Sequence, residues 1–393
     1  MQVVKSVSQK YILTPEMLAL LEEFRKMLND CIRIGLAENV TSKQSLAKIA
    51  YSYLARYKVP TYYRLSAISK AVGILKNYRK TLRKHSDAKK PFAKRQMLTD
   101  CYGFRIIGNH VRIPVSKTKG IWLKLNNHTL AVISGYAVKS VTLTTCTIAI
   151  AFSKETAVTD FTGLIGIDCN VDNITTADTN GTVKRYDLSE LTRTKAVYRE
   201  VKSHFKRDDV RVRKKIFSKY GRKQHDKSNA ILHNISKRIV ADAMAKGFGI
   251  VMEDLKGIRK LYQKGNGQGR NYRAKLNSWS PFEFQRQVGY KSLWEGIASF
   301  KDNPRGTSGF CAICGSEITE CADRKVWCGR CQRLVDRDEN AALNIVKRGL
   351  RFKPVGEASE AMKRNAEKLI RLVDASQLTH HPTVNTVNRH PKS

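Results

Sequence analysis

The opening residues, MQVVKSVSQKYIL, alternate apolar and polar side chains, the pattern of a strand with one buried face. Thr14-Pro15-Glu16 then reads as a helix start: a hydroxyl cap, a proline at the first helical position and an acid at the positive end of the dipole. Leu20, Leu21, Phe24, Met27, Leu28 and Cys31 recur at helical spacing and predict one buried stripe. A second amphipathic helix is expected around Leu46 to Leu54. A third is expected from about Tyr62 to Lys84, with Leu65, Ile68, Val72, Leu75 and Leu82 on its inner side.

From Tyr102 to Phe152 the period changes to two. Val111 to Pro114, Ile121 to Leu125 and Val141 to Phe152 are β-branched or alternating and are separated by Gly- and Asn-rich turns. These segments predict an antiparallel barrel or sheet that the opening strand joins, with the early helices inserted into it. Further on, Leu164 to Asp168 and Gly247 to Leu255 read as buried strands carrying acids at their ends. Residues 193 to 238 read as helical, and a helix is expected through Phe282, Phe284, Val288, Tyr290 and Trp294.

Charge narrows the partners. The chain of 393 residues holds 72 Lys plus Arg against 34 Asp plus Glu, a formal net charge of +38, so a polyanion is the expected partner. Residues 61 to 95 carry eleven Lys or Arg against the single acid Asp87, with tyrosines among them; residues 193 to 238 carry sixteen against four acids. Lys70, Lys76, Arg79, Lys80, Arg83 and Lys84 in the first segment, and Arg211, Arg213, Lys214 and Lys215 in the second, are the candidate nucleic-acid contacts. A solvated helix face is the plain alternative for the first segment, and the global charge favours binding. No apolar run reaches the roughly 18 residues of a membrane span, and the N-terminus lacks a signal peptide's apolar core. A cytoplasmic, nucleoid-associated protein with no membrane partner is expected.

Two cysteine pairs stand out. Cys311-Ala-Ile-Cys314 and Cys328-Gly-Arg-Cys331 are separated by thirteen residues, the spacing of a closed tetrahedral zinc site. Four thiolates leave no position for water, so such a zinc is structural. A pair of disulfides is the alternative, disfavoured in a chain without a secretory signal. Cys321, between the pairs, is left over.

Asp168 and Glu253 each close an apolar strand, where an acid must be paired, hydrogen-bonded or bound to metal. Asp338 starts a helix beyond the cysteines. Three carboxylates from separate elements can hold two Mg²⁺ or Mn²⁺ ions about 4 Å apart and so hydrolyse a phosphodiester.

Gly166-Ile-Asp168, Val251-Met-Glu253-Asp-Leu, the paired CxxC, and Asp336-Arg-Asp338-x-Asn340-Ala-Ala-x-Asn344-Ile, in that order, resemble the split RuvC nuclease of the TnpB family. Those are transposon-encoded RNA-guided DNA nucleases, similar to compact type V CRISPR effectors. Tyr290-Lys291 with Gly296 also resembles the family's pattern, whereas Asn170 stands where the pattern has glycine or another small residue. The resemblance implies Asp168, Glu253 and Asp338 as catalytic acids, with Asp336, Arg337 and Asn340 orienting Asp338 or contacting the strand.

It implies an α/β plus β fold: an RNase H-like RuvC domain with an inserted zinc ribbon, preceded by a wedge-like β-barrel that carries a helical recognition insertion. The expected bounds are 1–13 and 86–160 for the barrel, 14–85 for the helical lobe, 161–305 and 335–350 for the nuclease domain, 306–334 for the ribbon and 351–393 for a tail. Guide RNA and target double-stranded DNA are the implied partners, with no oligomeric state implied. A compact CRISPR effector shares this chemistry. A cleavage-silent RNA-guided repressor would dispense with the three acids; a conventional transposase also uses an acidic triad on an RNase H-like fold, and the strand-end glutamate before a zinc ribbon and the final motif favour the nuclease.

Overall fold

In the computed structural model, residues 1–350 are described, apart from 117, 207, 264 and 266; the expected tail at 351–393 lies outside the described residues. The chain divides into two compact units, Met1–Glu155 and Thr156–Ser393.

In the first unit, β1 (Gln2–Lys10) is followed by α1 (Pro15–Ala37), α2 (Lys43–Tyr53) and α3 (Thr61–Leu82). Thr14 caps α1 by accepting from the Met17 N–H, as its position before Pro15 predicts. The inner stripe of α1, including Leu20, Leu21, Phe24, Met27 and Leu28, is buried; each such side chain contributes about 1.5–3 kcal/mol by leaving water. Then come β2 (Met97–Asp100), β3 (Arg105–Ile107), β4 (His110–Pro114), β5 (Gly120–Lys124), α4 (Asn127–Ile133), β6 (Ala137–Thr144) and β7 (Thr147–Glu155).

β1 pairs with β7 from Gln2↔Glu155 to Lys10↔Thr147, so the three helices are threaded between strands of one sheet, as the alternation of the N-terminus suggested. The expected barrel does not close. The sheet runs β1-β7-β6-β2, with β1 and β2 at opposite edges, while β3, β4 and β5 pair only with one another as a separate three-stranded sheet. β2 is only four residues long, and β6 shifts register between Val138 and Ser140, which bends the ladder without bringing its edges together.

The second unit is built on a five-stranded sheet of order β10-β9-β8-β11-β12. Its strands are β8 (Gly163–Cys169), β9 (Asn173–Asp178), β10 (Val183–Asp187), β11 (Phe248–Glu253) and β12 (Ser299–Asp302). β8, β9 and β10 are antiparallel neighbours, whereas β11 lies parallel to β8 and β12 parallel to β11. Between β10 and β11 run α5 (Ser189–Ser203), the single turn α6 (Val210–Val212) and α7 (Ser218–Lys246); between β11 and β12 run α8 (Arg270–Ser278) and α9 (Pro281–Glu295). The basic segment read as helical is therefore interrupted after Ser203. It resumes through a wide π-helical turn over Arg213–Phe217.

One face of the sheet, with Ile165, Ile167, Ile250 and Met252, is covered by Leu191, Leu232, Ile235, Ile239, Phe284 and Val288. The other, with Leu164, Ala177 and Val251, is covered by Ala342, Ile345 and Val346 of α10 (Arg337–Gly349). Between β12 and α10 the chain makes a small antiparallel sheet of β13 (Thr319–Glu320), β14 (Lys325–Cys328) and β15 (Arg333–Asp336). Among the described residues no helix is long and apolar enough to cross a membrane.

Candidate functional site

Strand alternation decides where the acids go. Ile165, Ile167 and Cys169 face α5, α7 and α9, so Gly166 and Asp168 face α10; on β11 the same alternation turns Val251 and Glu253 toward α10. Ile167 and Met252 are register partners, which makes Asp168 and Glu253 the next residues on adjacent parallel strands. α10 can reach them because Gly166 has no side chain: a Cβ there would lie 2.7 Å from the Ala342 carbonyl oxygen. Asp338, in the first turn of α10, thereby reaches the same strand ends. Asp168, Glu253 and Asp338 are only 7%, 8% and 2% exposed.

Like charges in so little water raise one another's proton affinity. Burial, then the neighbouring Glu253 and Asp338 carboxylates, push Asp168 up to about 7. Burial also raises Glu253, against the Thr307 hydroxyl that donates to its Oε1 at 2.5 Å. The Glu253 backbone carbonyl accepts from Gln285 Nε2 at 2.7 Å.

A guanidinium supplies the missing positive charge. Arg324, in the turn between β13 and β14, donates through Nε to Asp338 Oδ2 at 3.1 Å and through Nη2 to Asp338 Oδ1, and Nη2 also reaches Asn170 Oδ1 at 2.9 Å. Asn170 in turn donates to Asp168 Oδ2 at 2.7 Å, and Asn173 of β9 donates to Asp338 Oδ2 at 3.1 Å. The residue that departs from the family pattern thus links the first acid to the ribbon arginine. The bond to Asp338 raises the proton affinity of Arg324 further.

The supporting residues divide. Asp336 caps α10, its Oδ1 accepting from the N–H groups of Asp338 at 2.9 Å and Glu339 at 3.1 Å, and it pairs with Arg185 at 2.6 Å. It thus orients Asp338. Arg337 pairs with Glu320 at 2.9 Å, and Asn340 accepts from the Ala312 N–H at 2.7 Å and donates to the Phe310 carbonyl at 2.8 Å. Asn344 donates to the Thr307 and Phe310 carbonyls at 2.8 and 2.7 Å, and Lys347 donates to the Ala312 carbonyl. Asn340, Asn344 and Lys347 fasten the first cysteine knuckle to α10.

The four cysteines converge, with all Sγ atoms within 4.8 Å of one another, Cys311 and Cys331 at 3.9 Å and Cys314 and Cys328 at 3.5 Å. Tetrahedral zinc with bonds of about 2.3 Å would set sulfurs about 3.8 Å apart, so the cluster fits that ion. The Ile313 and Cys331 N–H groups each point at a ligand sulfur at 3.4 Å, which favours the thiolate form. Among the described residues this is the only group of three or more metal-ligating side chains gathered so closely.

Sequence reasoning passed over Arg324, Asn173, Thr307 and Arg185. Asn173 lay close to the first acid and could have been suspected; the other three come from distant segments, and nothing in their spacing signals the contact. Of the candidate nucleic-acid residues, Lys76, Lys80, Arg83, Lys84, Arg211, Arg213, Lys214 and Lys215 are exposed, and Lys70 is half-buried. Arg79 is tied to the Thr41 hydroxyl at 3.0 Å and to Asn39 Oδ1 at 2.6 Å, so it holds the turn after α1.

A sheet of this order, with acids at the ends of its adjacent parallel strands and a four-cysteine ribbon before its last helix, defines a mixed α/β class with known relatives. Residues 282–345 match the family model described as Cas12f1-like, TNB domain. The chain is 29% identical over 213 residues to the TnpB-like protein MJ0751 of Methanocaldococcus jannaschii, covering 51% of this chain and 74% of that one. It is 30% identical over 152 residues to the putative RNA-guided DNA endonuclease InsQ of Escherichia coli, covering 35% and 37%, and 31% identical over 116 residues to the CRISPR-associated endodeoxyribonuclease Cas12f1 of Sulfoacidibacillus thermotolerans, covering 29% and 25%. The fold is similar to that of Cas12f1 in its complex with sgRNA and target DNA, with a TM-score of 0.56 at 16% identity over 84% of this chain and 81% of that one. The mini-RNA-guided endonuclease CRISPR-Cas_phi3 gives 0.52 at 11% identity, over 90% and 93%. These matches bear out the resemblance to the TnpB family that the motifs carry.

Proposed function

We propose that the chain is an RNA-guided DNA endonuclease that cuts target DNA at the Asp168, Glu253 and Asp338 site. The observation that carries this reading is the meeting of three nearly buried carboxylates from β8, β11 and α10. Side chains so placed repel one another unless cations lie between them, and three carboxylates from separate elements are a set that can hold two divalent ions. Mg²⁺ or Mn²⁺, when bound, would supply an activated water and stabilise the leaving 3′ oxygen.

The chain's own residues do the positioning. Thr307 orients Glu253, Asn170 orients Asp168, and Asp336 with Asn173 fixes Asp338. Cys311, Cys314, Cys328 and Cys331 hold a structural zinc that keeps the Arg324 turn at the edge of the site. In this reading the second unit is an RNase H-like RuvC domain split by a zinc ribbon, and α1 to α3 form a recognition lobe on a wedge-like sheet. Guide RNA supplies sequence by base pairing, and the basic segments hold the backbones of guide and target. A compact type V effector has the same chemistry with a guide of different origin.

The test is cleavage by the chain assembled with its guide RNA on matched duplex DNA. Replacing any of the three acids by alanine, as in Asp338→Ala, is expected to lower cleavage at least about a thousandfold, the loss of several kcal/mol of metal-borne stabilisation, while DNA binding persists. Near wild-type cutting by Asp338→Ala would overturn the assignment.

A further inference from the structure

The small sheet β3-β4-β5 of the first unit carries chemistry that neither metal centre uses. Its register sets Arg105 opposite Arg112 and Arg112 opposite Trp122; the next rung is Ile107, His110 and Lys124. Directly opposed residues project from the same face of a sheet, so these six side chains share one surface. The alternate positions Val111, Ile113 and Leu123 are buried on the other.

That surface is open: Trp122 is 49% exposed and Ile107 57% exposed, and Arg105 and Lys124 are exposed as well. Arg112 is held in place. Its Nη2 donates to the Thr118 carbonyl at 3.1 Å, and a Cβ at position 120 would lie 2.7 Å from its Nε. Gly120 is thus what lets the Arg112 side chain lie across the neighbouring strand. None of the six positions is an acid.

We propose that this face is a docking platform for an unpaired stretch of guide RNA. Trp122 stacks on a base, and Arg105, Arg112 and Lys124 take the phosphates on either side. The charge of the face suits a polyanion, and the indole selects the form. In a duplex the bases are already stacked on one another, so an aromatic ring on a flat sheet reaches only a base that has left the helix, as in the loops and ends where RNA is read. The platform follows from register and exposure; the choice of guide RNA as occupant rests on the function proposed above.

The experiment uses the full chain, the RNA that copurifies with it, transcribed and labelled, and a single DNA strand of the same sequence. Affinities are measured over a range of salt for wild type, Trp122→Ala, Trp122→Phe and the double variant Arg105→Ala with Arg112→Ala. Trp122→Ala is expected to weaken RNA binding about tenfold, the scale of one lost base stack, and Trp122→Phe to keep most of the affinity. The double variant is expected to lower the slope of log affinity against log salt by about 1.4, for two single-strand phosphate contacts. Matching far-ultraviolet circular dichroism and melting temperature show that the variants are folded. Tight RNA binding by wild type with no change in Trp122→Ala would overturn the platform and leave the guide reading standing. A wild type that binds no RNA would sink the guide reading and this occupant together. Weakening for the DNA strand alone would overturn the assignment to RNA.

Discussion

The carboxylate site and the cysteine cluster each bring like groups together, yet they are assembled in opposite ways. The cysteines lie within 21 residues of chain, counted from Cys311 to Cys331, on two knuckles whose backbone N–H groups already point at sulfur. The acids are 85 residues apart twice over, Asp168 to Glu253 and Glu253 to Asp338, and meet only when β8, β11 and α10 have packed. The first is a local structure, decided within one short segment of chain. The second is a product of the whole unit's fold, and Arg324 ties it to the first.

That difference can be tested at the cysteines, where the largest effect is expected. Cys328→Ser, or removal of zinc by a chelator, should abolish the bound metal, about one per chain by elemental analysis, and unfold the ribbon, because metal binding and local folding share one free energy. Cleavage should fall with it, since the arginine turn and the knuckle fastened to α10 are lost together. Full activity without zinc would mean that the two centres are independent.

A smaller effect is expected at the link. Arg324→Ala removes the bidentate partner of a nearly buried carboxylate but touches no cysteine. Its zinc content should be unchanged, while its melting temperature without Mg²⁺ falls by a few degrees, because Asp338 keeps Asn173 but loses its bidentate partner at a cost on the order of 1–3 kcal/mol. Added Mg²⁺ should restore more of the loss than it adds to wild type. A variant that melts like wild type without metal would show that the pair contributes nothing.

A further effect concerns pH. Asp168 in the folded protein titrates near 7, above its ordinary value of 3.8. The native state therefore binds more protons than the unfolded chain between about pH 4 and 7, so this residue lowers stability as pH rises through that window and holds it low above it. Asp168→Asn removes the cost. In the absence of divalent ions it should melt together with wild type near pH 4 and above it at pH 8. Parallel melting curves across the range would show that the acids do not strain the fold.

How much of this was legible follows the same division. The cysteine site could be read from spacing alone, and the cap of α1 from Thr14-Pro15-Glu16, because both are decided within a few residues. The acids could be placed at strand ends, since an apolar run that stops at a carboxylate is visible in the sequence. Their convergence needed the family resemblance, because register between β8 and β11 is a long-range property. Arg324 was invisible: a positive φ of 57° in a ribbon turn aims it, and no pattern of residue types encodes that contact. The barrel failed to close for a related reason, since alternation says that a segment is a strand without saying which neighbour it takes.

Asn340 has a consequence for anyone who would exchange parts. Its side chain holds both the Ala312 N–H and the Phe310 carbonyl, so the ribbon is joined to α10 by backbone contacts that almost any sequence at 310 and 312 could make. A ribbon transplanted from a relative would therefore find its mooring already built in the recipient. What it would have to bring is an arginine at the tip of its hairpin, the side chain by which the ribbon reaches Asp338.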